Sequence, residues 1–252
     1  MAADLRPAPA ALRPHDDRHL AWEGCVNIRD LGGLCTVDGN RTRRGQLIRA
    51  DGLGRLTDEG WRDLWEHGVR TVIDLRNDDE IGDDVAGRPD ELTTVHVPID
   101  DHRDRAFWQQ LRERKLDGSP LYFRPFLDAK PERCAEAITA IARAEPGGVV
   151  YHCASGRDRT GLMSTLILSL AGVTSEEIVD DYEHSNVRLV PLLEQLDMLD
   201  QLAIIESWLA HHGTTSRQAL SELLDGLDAE AELLAAGAEQ ADLRAVRDRL
   251  VG

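Results

Sequence analysis

Two hydrophobic periodicities alternate along the first two thirds of this chain. Short β-branched runs, VRTVIDLR (69–76), TTVHVPID (93–100) and VVYHC (149–153), carry the pattern of buried parallel strands. Helix-period stretches lie between and after them. DEGWRDLWEH (58–67) follows Thr57 as N-cap and precedes Gly68 as a C′ residue. Further helices are predicted over 105–115, from Pro131 to about Ala144, and over RTGLMSTLILSLAG (159–172). Cys25 to Asp51 reads as turns and short strands. Beyond Gly172 only helical pattern remains, opened by a capping box from Thr174 to Glu177. The alternation predicts an α/β fold, with a mostly parallel central sheet flanked by helices and a helical C-terminal part. The Pro- and Ala-rich start predicts a loose tail over 1–22, and 23–252 reads as one domain.

Composition narrows the function classes. A net charge of −17 argues against a nucleic-acid partner and against docking on anionic lipid. No apolar run reaches the roughly 20 residues of a membrane-spanning helix. The N-terminus does not read as a signal peptide, so a cytoplasmic location is expected, with leaderless secretion as the alternative. Cys25, Cys35, Cys134 and Cys153 are too scattered for a disulfide framework. None has metal-ligand spacing with histidines. His211 and His212 end a helix, where imidazole suits the dipole. No metal and no cofactor are expected.

Candidate chemistry concentrates in VVYHCASGRDRTG (149–161). With VVYH as a strand and RTG opening a helix, the loop lies at the carboxyl end of the sheet and at a helix N-terminus, where an anion is favoured. The backbone of Ala154, Ser155, Gly156, Arg157 and Asp158 can then wrap a tetrahedral phosphate, with Arg159 clamping two oxygens. Gly156 permits the tight closure. A free thiol, with a pKa near 8.5, is depressed by such surroundings, which makes Cys153 a candidate nucleophile for a cysteinyl-phosphate. Thr160 could donate to the sulfur, and His152 could orient the loop.

HCASGRDRTG resembles the signature of cysteine-dependent phosphatases, most closely the HCxxGKDRTG form of the bacterial atypical tyrosine phosphatases, a family with phosphoinositide phosphatase activity. VNIRDLGGL (26–34), GQLIRAD (45–51), GVRTVIDLRNDDE (68–80) and AGVTSEEIVDDY (171–182) resemble further segments of that family. The likeness runs from about Asn27 to the C-terminus and implies a phosphatase-like fold. It makes Cys153 the nucleophile, Arg159 the phosphate clamp and Asp158 the acidic loop residue. Arg157 stands where the family has lysine, a bulkier and forked cation that could change headgroup preference. By the same resemblance, helices within 173–252 form a possible lid, although their pattern suits core packing equally.

The general acid stays open between Asp158 and Asp74, with Asp100 and Asp101 next. Against these stand structural readings: Asp158 paired with Arg157 or Arg159, Asp74 paired with Arg76, and Arg76 paired with Glu80 at helix-turn spacing. Asn27, Arg29 and Asp30 are expected to brace the loop, or otherwise to add charge to its mouth. The expected activity is metal-independent hydrolysis of phosphotyrosine, phosphoserine or phosphothreonine in proteins, or of phosphoinositides. Its alternatives are a phosphate-binding module without turnover and a rhodanese-like sulfurtransferase.

Overall fold

The computed structural model describes residues 17–82, 87–101 and 103–252. Five strands, β1 (Arg29–Asp30), β2 (Leu47–Ala50), β3 (Val69–Asp74), β4 (Thr93–His96) and β5 (Gly148–His152), form one sheet in the order β1-β2-β5-β3-β4. All neighbours run parallel except β1, which is antiparallel to β2. β5 is central and every residue of it is buried, as its unbroken apolar run requires.

The pleat of β5 divides the core. Val150 packs with Ile48, Val72, Trp61 and Leu64 on the face covered by α1 (Asp58–Glu66). Val149 and Tyr151 join Ile138, Ile141, Leu162 and Leu166 on the other face. The helices there are α4 (Pro131–Ala142) and α5 (Arg159–Leu170), reached after α2 (Arg105–Glu113) and α3 (Phe123–Ala129). Each such aliphatic side chain taken fully from water stabilises the fold by about 1.5–3 kcal/mol. α5 is buried on nearly all sides because α6 (Ser175–Arg188), α10 (Ala229–Ala235) and α11 (Gln240–Val251) also pack on it.

α9 (Ser216–Asp225) completes this outer layer against α6. Leu220, Leu233, Val246 and Leu250 are core residues, so α9, α10 and α11 are packing helices. Between α6 and α9, α7 (Val190–Gln195) and α8 (Asp200–His211) form a separate small apolar cluster with Val26. Among the described residues no helix is long and apolar enough to cross a membrane.

Three expectations are corrected. Residues 1–16 of the expected tail lie outside the described residues, but 17–22 belong to the fold. Arg18 is buried on Asp181 at 2.8 Å, His19 bridges Arg29, and Trp22 is 5% exposed. The strand expected over 93–100 ends at His96, and its residues are mostly exposed because it forms the sheet edge. The helix expected over 105–115 ends at Glu113, with Lys115 at a φ of +56° reversing the chain.

Candidate active site

The loop from Cys153 to Asp158 joins β5 to α5, and its shape is set from behind by hydrogen bonds to its carbonyls. Cys153 O faces His152 Nδ1 at 3.2 Å, which assigns the ring proton to Nδ1 because a carbonyl only accepts. Ala154 O accepts from Gly52 N–H at 3.0 Å and from Arg55 at 3.2 Å. Ser155 O accepts from Asn27 Nδ2 at 3.0 Å, and Gly156 O from Arg49 Nη2 at 2.7 Å. In a trans peptide the next residue's N–H points opposite the carbonyl. Four outward carbonyls therefore turn the N–H groups of Ala154, Ser155, Gly156 and Arg157 inward. Gly156 N–H does point at Cys153 Sγ, 3.3 Å away.

Gly156 has a φ of +70°, and a Cβ there would stand 2.5 Å from Ala50 O. Only glycine lets the loop lie so close to β2. Gly161, one turn into α5, is required by packing instead, since a Cβ would stand 2.9 Å from the Tyr182 ring.

The donors behind the loop are held by two buried carboxylates. Asp51 accepts from the N–H groups of Val26 and Asn27 and from Arg55 at 2.9 Å. Asp181, on α6, receives Arg18 at 2.8 Å, Arg29 at 2.9 Å and Arg49 at 2.5 Å. Burial works against the charge of Asp181, but Arg29, Arg49 and Arg18 outweigh it and hold the carboxyl well below its ordinary range. Burial and the neighbouring Arg49 draw Arg29 down to about 10 despite Asp181. Arg29 reaches the loop through Asn27 Oδ1 at 2.7 Å and shares Ser185 Oγ with Arg49. Asp30 meets this network only through its backbone, where its carbonyl accepts from Arg18 at 3.3 Å; its carboxylate accepts from Gly32 and Gly45 N–H groups at 2.7 Å and braces the turns beside β1 and β2.

The open side of the loop is arranged differently. The Arg159 fork receives both Glu80 oxygens, at 2.5 and 2.7 Å, and its Nε faces Asp100 at 3.3 Å. Burial alone would raise the Glu80 carboxyl, yet Arg159 and Asn77 hold it down to about 2. The Arg76–Glu80 pair expected from spacing is not formed between side chains. Arg76 instead grips Asp74 at 2.6 Å, and its bond to Glu80 goes to the backbone carbonyl at 3.3 Å.

Asp74 lies at the end of β3 beside His152, 3.7 Å from its Nε2. Burial raises its carboxyl, and Arg76 with His152 reverses this to a net lowering. His152 is itself lowered, by burial first, with Asp74 opposing, so it is neutral near pH 7. Asp158 is bound by Arg157 at 3.0 Å. Arg157, the departure from the family's lysine, is buried at 2% exposure. Cys153 is 1% exposed, and Thr160 Oγ1 is buried without a hydrogen-bond partner among the described residues, making no bond to the sulfur. Asp101 lies near Lys130 at 3.8 Å, away from the loop contacts. His212 Nε2 caps Arg114 O at 2.9 Å.

A cleft of about 290 Å³ opens beside Ala154, between Arg55, Arg76 and Glu80. The loop beside that cleft, with the Cys153 thiol at its inward N–H groups and Arg159 at its end, can hold a tetrahedral dianion against a nucleophile. Among the described residues no group of three or more His, Cys, Asp or Glu side chains could hold a metal ion. Sequence reasoning missed Arg49, Asp51, Asp181 and Ser185 as loop supports. For Arg49, Asp51 and Asp181 the signal was charge inside apolar pattern, in GQLIRAD and in SEEIVDDY; Ser185 carried none.

Comparison with known proteins points the same way. A family model described as "Tyrosine phosphatase family" matches residues 20–252. A Cupriavidus necator protein with a provisional tyrosine-protein phosphatase name is 29% identical over 187 residues, covering 72% of this chain and 68% of that one. A tyrosine-protein phosphatase of Nostoc commune is 31% identical over 138 residues, 54% of this chain and 47% of its own length. The triple specificity protein phosphatase PtpB of Mycobacterium tuberculosis is 28% identical over 249 residues, covering 87% of each.

Proposed function

The chain belongs to the tyrosine phosphatase family, and from that premise we propose that it hydrolyses phosphomonoesters through a cysteinyl-phosphate on Cys153. The observation that carries this reading is the loop whose carbonyls of residues 153–156 are all bonded outward. That arrangement aims successive N–H groups at one point above Sγ, where they stabilise both the bound dianion and the charge that develops on its equatorial oxygens.

In the first step Sγ attacks phosphorus, and the P–O bond to the leaving group breaks as an acid protonates the departing oxygen. In the second, water attacks the phosphocysteine and inorganic phosphate leaves. Arg159 supplies the cation. Its contact to Asp100, one bond at 3.3 Å, is the weaker of its two carboxylate contacts. The phosphate takes that edge, while Glu80 keeps the guanidinium oriented. Thr160, with its hydroxyl uncommitted, donates to the sulfur as it leaves.

The substrates are phosphotyrosine, phosphoserine or phosphothreonine proteins, in keeping with a relative named a triple specificity protein phosphatase, and the resemblance of HCASGRDRTG adds phosphoinositides as the further class. The net charge of −17 favours the protein substrates over lipid in an anionic membrane. α7 and α8 act as the lid. They pack on Val26 at one side of the loop, and Ile205 lies by Gly118 at the other. The exposed Leu196, Met198 and Leu199 of the turn between them, with Ile204 on α8, are what a hinged cover leaves in solvent. The reaction takes place in the cytoplasm.

The test is hydrolysis of p-nitrophenyl phosphate from about pH 5 to 8 with EDTA, with wild type beside Cys153→Ser. Turnover that survives chelation and is lost in the variant, with a trapped phosphoenzyme on acid quench of the wild type, is expected. Phosphate binding without turnover in the wild type, or turnover that persists in Cys153→Ser, overturns the reading.

A further inference from the structure

The turn that follows β3 ties both ends of the catalytic loop to one strand. At its start Asp74 faces His152, 3.7 Å from Nε2, and His152 Nδ1 meets Cys153 O. Arg76 bonds Asp74 through Nε and Nη2, and its Nη1 donates to Glu80 O at 3.3 Å. Arg76 O meets His96 Nε2 at 2.6 Å, at the end of β4. At the far end of the turn Glu80 carries the Arg159 fork. Asp74, Arg76 and His96 thus fix the course of the backbone.

The Glu80 carboxylate is set by a different residue. Asn77 is 5% exposed and opens the short 3-10 helix Asp78–Glu80 in an extended conformation. Glu80 N–H donates to Asn77 O at 3.0 Å, and Asn77 N–H returns a bond to Glu80 Oε2 at 2.9 Å. The Asn77 amide adds a second bond to the same oxygen, from Nδ2 at 2.7 Å. Its nitrogen must be the atom that faces Oε2, because an ionised carboxylate only accepts. Arg159 Nη1 also reaches Oε2, at 2.5 Å, so that oxygen collects three donors while Oε1 takes Arg159 Nη2 at 2.7 Å. Turning the carboxylate about its last bond would break the Asn77 bonds and the fork together. Capping alone would use the amide oxygen of Asn77. Here the amide nitrogen goes to the carboxylate, and the carboxylate goes to the phosphate clamp.

On the cysteinyl-phosphate reading above, we infer that Asn77 is a positioning residue for that clamp: its amide sets the plane of the Glu80 carboxylate, and this plane aims Arg159 at the dianion. A planar fork bonded through Nη1 and Nη2 to one carboxylate takes its orientation from it. The Nε edge is then left toward the phosphate. Without the amide, Glu80 keeps its backbone donor and its charge, but the carboxylate regains rotational freedom and the fork moves with it. Binding of the dianion and the rate of its transfer should therefore fall together.

The experiment compares wild type with Asn77→Ala, Asn77→Ser, Asn77→Asp, Glu80→Gln and the Asn77→Ala/Glu80→Gln double variant. Each is read by kcat/KM on p-nitrophenyl phosphate, by vanadate affinity and by urea unfolding. In Asn77→Ala, kcat/KM is expected to fall about tenfold, with vanadate bound more weakly by a similar factor. Asn77→Asp keeps the shape of the side chain but sets a second carboxylate against Oε2, so it should lose more than Asn77→Ala. Serine and aspartate are both good capping residues, and only serine can donate to Oε2 near neutrality. Asn77→Ser should therefore retain more activity than Asn77→Asp at a similar unfolding midpoint, a comparison that stands even where Asn77→Ala folds poorly. In the Glu80→Gln background Asn77→Ala should add little. Additive losses in the double variant, an unmoved vanadate affinity, or Asn77→Asp as active as Asn77→Ser would overturn the positioning role alone. A wild type that binds vanadate without Cys153-dependent turnover overturns the underlying reading, and the vanadate series then still decides the role of Asn77.

Discussion

The two sides of the catalytic loop are built by opposite rules. Behind it, Asn27, Arg29, Arg49, Asp51 and Asp181 are almost wholly removed from water, and the carboxylates are saturated with donors. In front of it, Arg157 and Thr160 keep buried polar atoms without hydrogen-bond partners among the described residues, as Arg49 does behind it only at Nε, and Arg159 is held by Glu80 from the β3–β4 loop and Asp100 from beyond β4 rather than by the core. A buried group is left unsatisfied only at a cost of about 1–3 kcal/mol. The rear network therefore fixes a shape, and the front retains the bonding capacity that a phosphate would take up. Variants behind the loop should lower stability and rate together, and variants in front should change kinetics with the unfolding midpoint nearly intact.

Asp181→Asn should show the largest effect. It leaves Arg18, Arg29 and Arg49 with no full counter-charge, and breaking one side of a buried ion cluster costs about 3–5 kcal/mol. The pH dependence carries a sign. The Asp181 carboxyl is depressed in the fold, so its stabilisation is complete above the ordinary carboxyl value of about 3.9 and is lost as pH falls below that toward its folded value. Urea unfolding should show a gap between wild type and variant that is constant from neutral pH to about pH 5 and narrows below about pH 4. A gap independent of pH would mean that the carboxylate is not what the arginines require.

Gly156→Ala comes next. The new Cβ meets Ala50 O at 2.5 Å, and the φ of +70° is strained for any other residue, at about 1–3 kcal/mol. Because the loop must shift to accommodate it, kcat should fall about 100-fold. An unchanged kcat with lowered stability would show that the loop tolerates displacement from β2, and the sharp contrast between its two sides would be lost.

How much of this was legible in the sequence follows from distance along the chain. The alternation of strands and helices, the Thr57 cap and the loop between β5 and α5 are local patterns, and each stood in the sequence within a few residues. The Arg49–Asp181 contact spans 132 residues and the Arg159–Glu80 contact 79, and no periodicity encodes such partners. That is why Arg76 and Glu80, four apart, suggested a pair that the fold does not make: Asp74 competes for the guanidinium from only two residues away. Arg18 likewise looked like part of a loose tail because its carboxylate partner lies on α6.

Asn27→Ala tests the junction between the two regions. It removes the donor to Ser155 O, a part-buried bond, and the acceptor of Arg29 Nη1, a buried one, for an expected loss of about 1–3 kcal/mol. With the Ser155 carbonyl released, the Gly156 N–H is no longer aimed inward. Vanadate, as a probe of the dianion site, should bind more weakly in step with the fall in kcat. Weaker folding with unaltered vanadate affinity would confine Asn27 to the rear network.

Asp100→Asn should give the smallest change and the finest distinction. Asp100 faces Arg159 Nε at 3.3 Å and is partly exposed, so the contact is worth at most about 1 kcal/mol. If phosphate takes that edge of the guanidinium, removing the competing charge should tighten inhibition by inorganic phosphate about two- to fivefold, the equivalent of up to 1 kcal/mol. The unfolding midpoint should stay near wild type. A rate loss confined to poor leaving groups would instead make Asp100 the proton donor in place of Asp158 or Asp74. Unchanged inhibition would mean that phosphate binds without displacing Asp100, with the Glu80 side of the fork yielding in its place.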